Sequence, residues 1–410
     1  MHILDTLALL SGILLVAKLI GGVVNRFGVP AVLAELLTGV IVGNLTFFWP
    51  SFAETGLAGL EKSELAHGLS ELGVLFLLFN VGLETNLADI GRVGRDATIA
   101  AFLGVAAPFA LAFATLPFLE GATFNHTLFM AAALTATSVG VTSAVLKEVG
   151  QLASRSGQII LGAAVIDDVL GIIVLTVVSG IVATGAVSVG AVSTLLVKTA
   201  IFVVAAGLLR AYVFPRVFLR ARPFEVSGSL TIFLLAQALL FAWISEKIGL
   251  AGIIGAFALG VILDDVHFKD YKAKEGTSLE HIIKPVVDFL SPIFFVVVGM
   301  SVKFEAMLKP EAMGLAAILI VTAILGKLAC GLALGKQTRK AGGDRWMVGF
   351  GMMPRAEVGL IFASIGLSRG ILSSVDYAAL IAMVALTTFL APFLIVWRAK
   401  QIAPSAKKTA

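Results

Sequence analysis

The chain has 410 residues, 59% of them hydrophobic and 14% charged, with a mean hydropathy of +1.02. Soluble domains carry about 25% charged residues, so this composition excludes a soluble globular protein and places the chain in a membrane. The net charge of +4 follows from loop topology rather than from a nucleic-acid partner, and the single cysteine, Cys330, lies in an apolar run and forms no internal disulfide.

A spanning helix needs about 20 mostly apolar residues, and that window predicts about 13 spans in chain order. They fall near 3–24, 30–48, 69–86, 97–118, 127–146, 157–181, 191–213, 228–246, 250–264, 282–302, 313–334, 347–367 and 376–397. The N-terminal stretch "MHILDTLALL" lacks a basic leader and a small-residue cleavage site, and reads as a retained helix. The loops alternate in charge. One set collects most of the 30 basic residues, including Arg210, Arg216, Arg220 and Arg222, then Lys336, Arg339, Lys340 and Arg345, and the tail after Trp397. The other set holds Lys62, Lys247, Lys303, Lys309 and Arg369. The positive-inside rule then puts the N-terminus outside and the C-terminus in the cytoplasm, which an odd number of spans requires.

A faint repeat runs through the same pattern. "LLFNVGLETNL" from Leu77 resembles "FFVVVGMSVKF" from Phe294, aligning Gly82 with Gly299. "TGVIVGN" from Thr38 resembles "LGVILDD" from Leu259, aligning Gly39 with Gly260. The third span matches the tenth and the second matches the ninth. An odd offset inverts one copy relative to the other, as in secondary transporters that bind their cargo at the midplane between two halves.

The polar residues inside the spans carry the chemistry. "GAAVIDDVLG" puts Asp167 and Asp168 at the centre of the sixth span, where an ionisable group costs about 2.5–3.5 kcal/mol to insert. Adjacent helical residues point about 100° apart, so one carboxylate can face a cavity and the other a neighbouring helix. Asp264 and Asp265, followed at once by His267 and Lys269, read instead as a helix end at the membrane edge. Lys327 sits mid-span in "AILGKLACG", and one carboxylate of the Asp167–Asp168 pair as its partner solves both burial problems.

Two further spans look interrupted. "ALTATSVGVTSAVL" gathers Thr135, Thr137, Ser138, Thr142 and Ser143 in the fifth, and "GFGMMPRAEVGLIFA" places Pro354, Arg355 and Glu357 in the twelfth. These spans are again equivalent in the two halves, and Arg355 and Glu357 are placed to compensate half-helix dipoles or each other. Carboxylates, hydroxyls and carbonyls without His or Cys suit a small hard cation, and a carboxylate that takes a cation or a proton in turn couples the two fluxes. An intramembrane aspartyl protease needs its two aspartates on different helices, so the adjacent pair argues against an enzyme.

"GAAVIDDVLG", "ATSVGVT", "ELGVLFLLFNVGLET" and the mid-span Lys327 together resemble the NapA-like bacterial sodium/proton antiporters of the second cation:proton antiporter branch. The resemblance implies an all-α polytopic protein of 13 helices with two inverted repeats and two crossed discontinuous helices. It implies scaffold or dimerisation helices at 1–48 and 228–264, core helices at 69–181 and 282–397, a linker helix at 191–213 and a cytoplasmic tail at 398–410. Asp168 is then the ion-binding carboxylate, with Asp167, Thr137 and Ser138 beside it. Lys327 is the partner of Asp167 and a proton carrier, and Glu357 belongs to the second crossing. The implied activity is electrogenic exchange of sodium or lithium for protons by a homodimer in the bacterial inner membrane, with no cofactor. Ala356 stands where the family usually has Gly. Two rival readings stay open: a potassium/proton exchanger, although the tail after Trp397 is too short for the nucleotide-binding domain of potassium-efflux relatives, and a sodium-coupled organic anion symporter.

Overall fold

The computed structural model describes residues 3–26, 31–49, 57–60, 63–84, 87–118, 123–184, 189–209, 212, 229–263, 278–301, 304, 310–355, 359, 362–363, 366–367 and 370–402. Among these residues the chain is all helical. Ten helices are long and apolar enough to cross a membrane. They are α1 (Ile3–Asn25), α2 (Ala31–Phe48), α4 (Glu64–Glu84), α5 (Leu87–Thr115), α8 (Arg155–Thr184), α9 (Val189–Leu208), α10 (Ser229–Ile248), α12 (Leu279–Met300), α13 (Pro310–Leu332) and α16 (Ser374–Ile402). The short α3 (Leu57–Leu60) precedes α4, and α14 (Lys336–Lys340) follows α13.

The other three sequence windows hold no long helix among the described residues. The fifth divides into α6 (Phe124–Ala133) and α7 (Val139–Glu148), with Leu134–Ser138 unwound between them. The ninth holds the 11-residue α11 (Gly252–Ile262). The twelfth starts with α15 (Arg345–Gly351) and loses helical geometry after Met352. The expected interruptions therefore fall inside the two windows where Gly, Pro and hydroxyl residues accumulate. Asp264, Asp265 and Glu357 lie outside the described residues.

Two compact units emerge. The first comprises Met1–His67, Val93–Ala186 and Phe295–Ala410; the second comprises Gly68–Arg92 and Val187–Phe294. In the first, α1 lies on α2, α13 on α15 and α16, and α6, α7 and α15 on α8. Its apolar core joins Phe129 and Met130 of α6 to Leu319 of α13, Phe362, and Leu380 and Met383 of α16. In the second, α10, α11 and α9 pack on one another.

Each unit contains a crossing at which a glycine of one helix faces a glycine of another. In the first, a methyl group on Gly39 of α2 would stand 2.9 Å from Gly299 Cα of α12 and closer still to Val296 O. In the second, a methyl on Gly82 of α4 would stand 3.0 Å from Gly260 Cα of α11 and closer to Phe257 O. Small residues let membrane helices approach backbone to backbone, and no other residue fits at these four positions.

Two further glycines end helices in the same way. Gly150, after α7, has φ 67°; its N–H donates to Lys147 O at 3.0 Å, while Gln151 N–H donates to Leu146 O at 2.8 Å. Gly370 repeats the turn with φ 67°, Leu367 O at 3.0 Å, and Ile371 N–H on Gly366 O at 2.9 Å. Left-handed backbone at this point of a C-terminal turn favours glycine. Each turn leads into a long membrane helix, α8 in one case and α16 in the other.

The N-terminus of α15 is held by Asp344. Its carboxylate accepts from Met347 N–H at 2.7 Å and from the Arg398 guanidinium at 3.0 and 2.6 Å, while its own N–H donates to Ser156 Oγ at 2.8 Å. Burial works against ionisation of this carboxyl, but Arg398 and the Met347 N–H outweigh it and hold it below the usual carboxylate range. A depressed folded-state value stabilises the fold fully above about pH 4, where unfolded aspartate is ionised, and that contribution is lost as pH falls through the folded value below it. Asp344→Ala is expected to cost about 1–2 kcal/mol at neutral pH, because it removes both a cap and a partly exposed ion pair. Asp344→Asn, which keeps a capping oxygen, is expected to cost less. Thermal unfolding in detergent checks the order.

Candidate functional site

α8 presents Asp167 and Asp168 in consecutive positions, both buried, with relative exposures of 1% and 9%. Unwinding of the α6–α7 segment leaves carbonyls at the end of α6 without helical donors. The C-terminal end of a helix carries partial negative charge, and two buried cations occupy it. Lys327 of α13 donates to Thr135 O, to Thr137 Oγ1 at 2.7 Å and to Asp167 Oδ2 at 3.5 Å. Arg355 donates to Leu134 O at 2.6 Å through Nη2 and to Met353 O at 3.2 Å through Nη1, with Ala323 O at 3.5 Å. Both side chains are fully buried.

The two unwound segments touch each other directly. Ser138 N–H donates to Pro354 O at 2.7 Å, Thr142 Oγ1 to Gly351 O at 2.7 Å and Thr137 Oγ1 to Met352 O at 3.4 Å. Pro354 contributes an acceptor and has no N–H to satisfy, which suits a residue in an interrupted membrane segment. Arg355 therefore ties the end of α6 to the segment after α15, and Lys327 does the same one residue further along, through the Thr137 hydroxyl.

Of the residues singled out from sequence, Asp167, Thr137, Lys327 and Arg355 belong to one hydrogen-bonded cluster, and Ser138 joins it through its backbone. Asp168 lies next to Asp167 on the same helix. Thr137 Oγ1 accepts from Lys327 and donates to Met352 O. Within this cluster two buried atoms have no hydrogen-bond partner among the described residues: Asp167 Oδ1 and Ser138 Oγ. In a low-dielectric interior such oxygens are costly unless something fills the role of donor or cation. Oxygen atoms of this kind suit a monovalent cation or a proton as cargo. No group of three or more His, Cys, Asp or Glu side chains able to hold a resident metal occurs among the described residues.

Three participants carry no evident sequence signal. Gly104 of α5 leaves room for Lys327, because a methyl there would stand 3.4 Å from Nζ. Leu134 acts only through its carbonyl. Thr388 of α16 accepts from Arg355 N–H at 3.0 Å and donates to Arg355 O.

An all-helical membrane protein with interrupted helices around a buried carboxylate–lysine cluster belongs to the transporters. Residues 12–401 match the family described as sodium/hydrogen exchanger, transmembrane, and the chain belongs to that family, whose members are transporters and not enzymes. It is 37% identical over 406 residues to the high-affinity Na(+)/H(+) antiporter NhaS3 of Synechocystis, covering 92% of this chain and 86% of that one. It is also 30% identical over 381 residues to the Na(+)/H(+)-K(+) antiporter GerN of Bacillus cereus, covering 93% and 92%. Among solved structures, the sodium proton antiporter MjNhaP1 of Methanocaldococcus jannaschii shares the fold with a TM-score of 0.64 at 16% identity, covering 98% and 99%.

Proposed function

We propose that the protein is an electrogenic antiporter that exchanges cytoplasmic sodium, or lithium, for external protons by alternating access. One observation carries the reading: Asp167, one of two adjacent buried carboxylates, meets Lys327, which is bonded to the unwound α6–α7 segment, and Asp167 Oδ1 and Ser138 Oγ lack a hydrogen-bond partner among the described residues. Asp168 is the shared site for cation and proton, Asp167 its neighbour, and Lys327 the counter-charge. Arg355 occupies the negative end of α6, and Glu357, outside the described residues, is the matching carboxylate of the second segment. The antiporter names of relatives covering nine-tenths of the chain support the same activity.

The repeat seen in sequence supports a two-half mechanism. It maps Gly39 onto Gly260 and Gly82 onto Gly299, so the Gly39–Gly299 crossing corresponds to the Gly260–Gly82 crossing. Even the third-residue carbonyls correspond, Val296 with Phe79 and Leu36 with Phe257. With α1, α2, α10 and α11 as scaffold and the remaining site-bearing helices as core, each crossing is a contact of core with scaffold. Bare backbone at such a contact leaves no side chains to interlock when one part slides past the other. The protein works as a homodimer in the inner membrane, with the N-terminus outside. The apolar residues exposed on α1, among them Leu15, Leu19 and Val23, support the scaffold contact.

The test is transport by purified protein in liposomes, with sodium, lithium and potassium compared side by side. Sodium and lithium are expected to drive proton release, with a half-maximal sodium concentration that rises as pH is lowered between about 9 and 6, because both ions compete for one carboxylate. Light scattering of the same preparation is expected to give the mass of two chains. The potassium/proton alternative has a specific support in GerN, whose name includes potassium. Equal turnover with potassium would establish it, and a pH-independent sodium response would remove the shared site.

A further inference from the structure

We infer that Thr388 is a positioning residue of the ion site: it holds the unwound segment of the second interrupted helix in register, and so sets sodium affinity. The inference rests on the antiporter reading given above.

Unwinding at Arg355 frees its backbone N–H and C=O. In a membrane interior no water takes their place, so both groups need protein partners. Thr388 serves both with one hydroxyl: Oγ1 accepts from Arg355 N–H at 3.0 Å and donates to Arg355 O. Both residues are buried, Thr388 at 2% and Arg355 at 0% relative exposure. A helical threonine ordinarily returns its hydroxyl to its own helix, and its neighbour Thr387 does so, donating to Met383 O at 2.8 Å. Thr388 instead spends its bonding capacity across the helix interface. The side chain it anchors is the guanidinium that binds Leu134 O at 2.6 Å and Met353 O at 3.2 Å, next to the carbonyl used by Lys327. A shift of Arg355 therefore displaces the end of α6, and with it Thr135 and Thr137.

The position of Thr388 gives the role a second support. The glycine turns at Gly150 and Gly370 share φ and both hydrogen bonds, which fixes the register of α8 against α16. Counted from those glycines, Thr387 and Thr388 stand where Asp167 and Asp168 stand in α8. The helix after each interruption thus carries two polar residues at the same place: in α8 they are carboxylates, and in α16 hydroxyls, one of which fastens the segment. This division leaves one half of the protein to bind the ion and the other to hold still what the ion binds against.

The experiment compares Thr388→Val, Thr388→Ser and Thr387→Val in liposomes, with maximal rate and half-maximal sodium concentration read separately. Thr388→Val keeps the shape and removes the hydroxyl; its half-maximal sodium concentration is expected to rise about ten- to hundredfold, the factor that losing one buried hydrogen bond gives. Thr388→Ser keeps the hydroxyl, and Thr387→Val removes one that serves only its own helix. Both are expected to stay within about threefold of wild type, the effect of a neutral buried change. If Thr388→Val does not fold, Thr388→Ala takes its place, and failure of both to fold overturns the inference in favour of a purely stabilising role. Serine behaving like valine, or Thr387→Val weakening sodium as much as Thr388→Val, also overturns it. If the wild type responds to potassium and not sodium, the sodium reading fails while the same variants, scored with potassium, still decide the role of Thr388.

Discussion

Asp168→Asn is expected to abolish sodium-driven proton release, to at least about a hundredfold below wild type, while the protein stays folded in the membrane. Asparagine keeps the size of the side chain and one of its oxygens, so packing around a residue at 9% exposure changes little. What disappears is a negative charge and a removable proton. A sodium ion leaving water for a buried site needs charge compensation, since isolated ions are strongly disfavoured there. Asp167 does not replace it, because one of its oxygens faces Lys327 at 3.5 Å and its charge is balanced by that ammonium. On the proposed role of Asp168, losing it also removes the step that exchanges one ion for the other, so the expected loss is in turnover at every sodium concentration and not only in affinity. Liposome transport with a thermal-unfolding control reads both. A folded Asp168→Asn protein that retains more than about a tenth of wild-type exchange would move the shared site elsewhere, Asp167 being the next candidate.

The parts of this site legible in sequence are those that contradict the bilayer. Asp167, Asp168, Lys327 and Arg355 are charges in apolar runs, and Pro354 with its flanking glycines interrupts one. Each is costly in hydrocarbon, so each announces a role. The twelfth window's break and the split of the fifth into α6 and α7 follow from the same signal. Thr388 is silent because a threonine in a membrane helix normally bonds to its own helix, and only the three-dimensional neighbour distinguishes it from Thr387. Leu134 is silent because it works through its carbonyl, which every residue has. Helix ends were blurred for a different reason. The window placed the fourth span at 97–118, whereas α5 begins at Leu87 and includes Arg92, Arg95 and Asp96. Hydropathy trims such a turn, yet Asp96 is held there by Arg155 at 3.0 Å and Thr338 at 2.8 Å.

In the proposed electrogenic cycle the charge carried depends on Lys327, and its surroundings define an outcome for Lys327→Gln. The Lys327 amine has closer neighbours than Asp167: Thr137 Oγ1 lies at 2.7 Å and Thr135 O is also bonded, whereas Asp167 Oδ2 lies at 3.5 Å. Asp167 Oδ1 has no partner among the described residues, so this carboxylate is free to turn toward an arriving cation. In the proposed cycle sodium draws it away, and Lys327, its counter-charge lost, releases a proton. The neutral amine that remains has two N–H groups, enough for Thr135 O and Thr137 Oγ1. In the proposed cycle one sodium displaces one proton from Asp168 and one from Lys327, so each cycle moves one net charge. An imposed potential of about 100 mV acting on one charge is worth about 2.3 kcal/mol, which shifts the equilibrium sodium ratio about fiftyfold. Glutamine keeps two N–H donors for the same acceptors but has no proton to release. Lys327→Gln is therefore expected to exchange one sodium for one proton, with a reversal point that the same potential leaves unmoved. Reversal measurements in liposomes under a potassium diffusion potential decide it. A mutant that keeps the wild-type shift would make Lys327 a structural counter-charge and assign the second proton to Asp167.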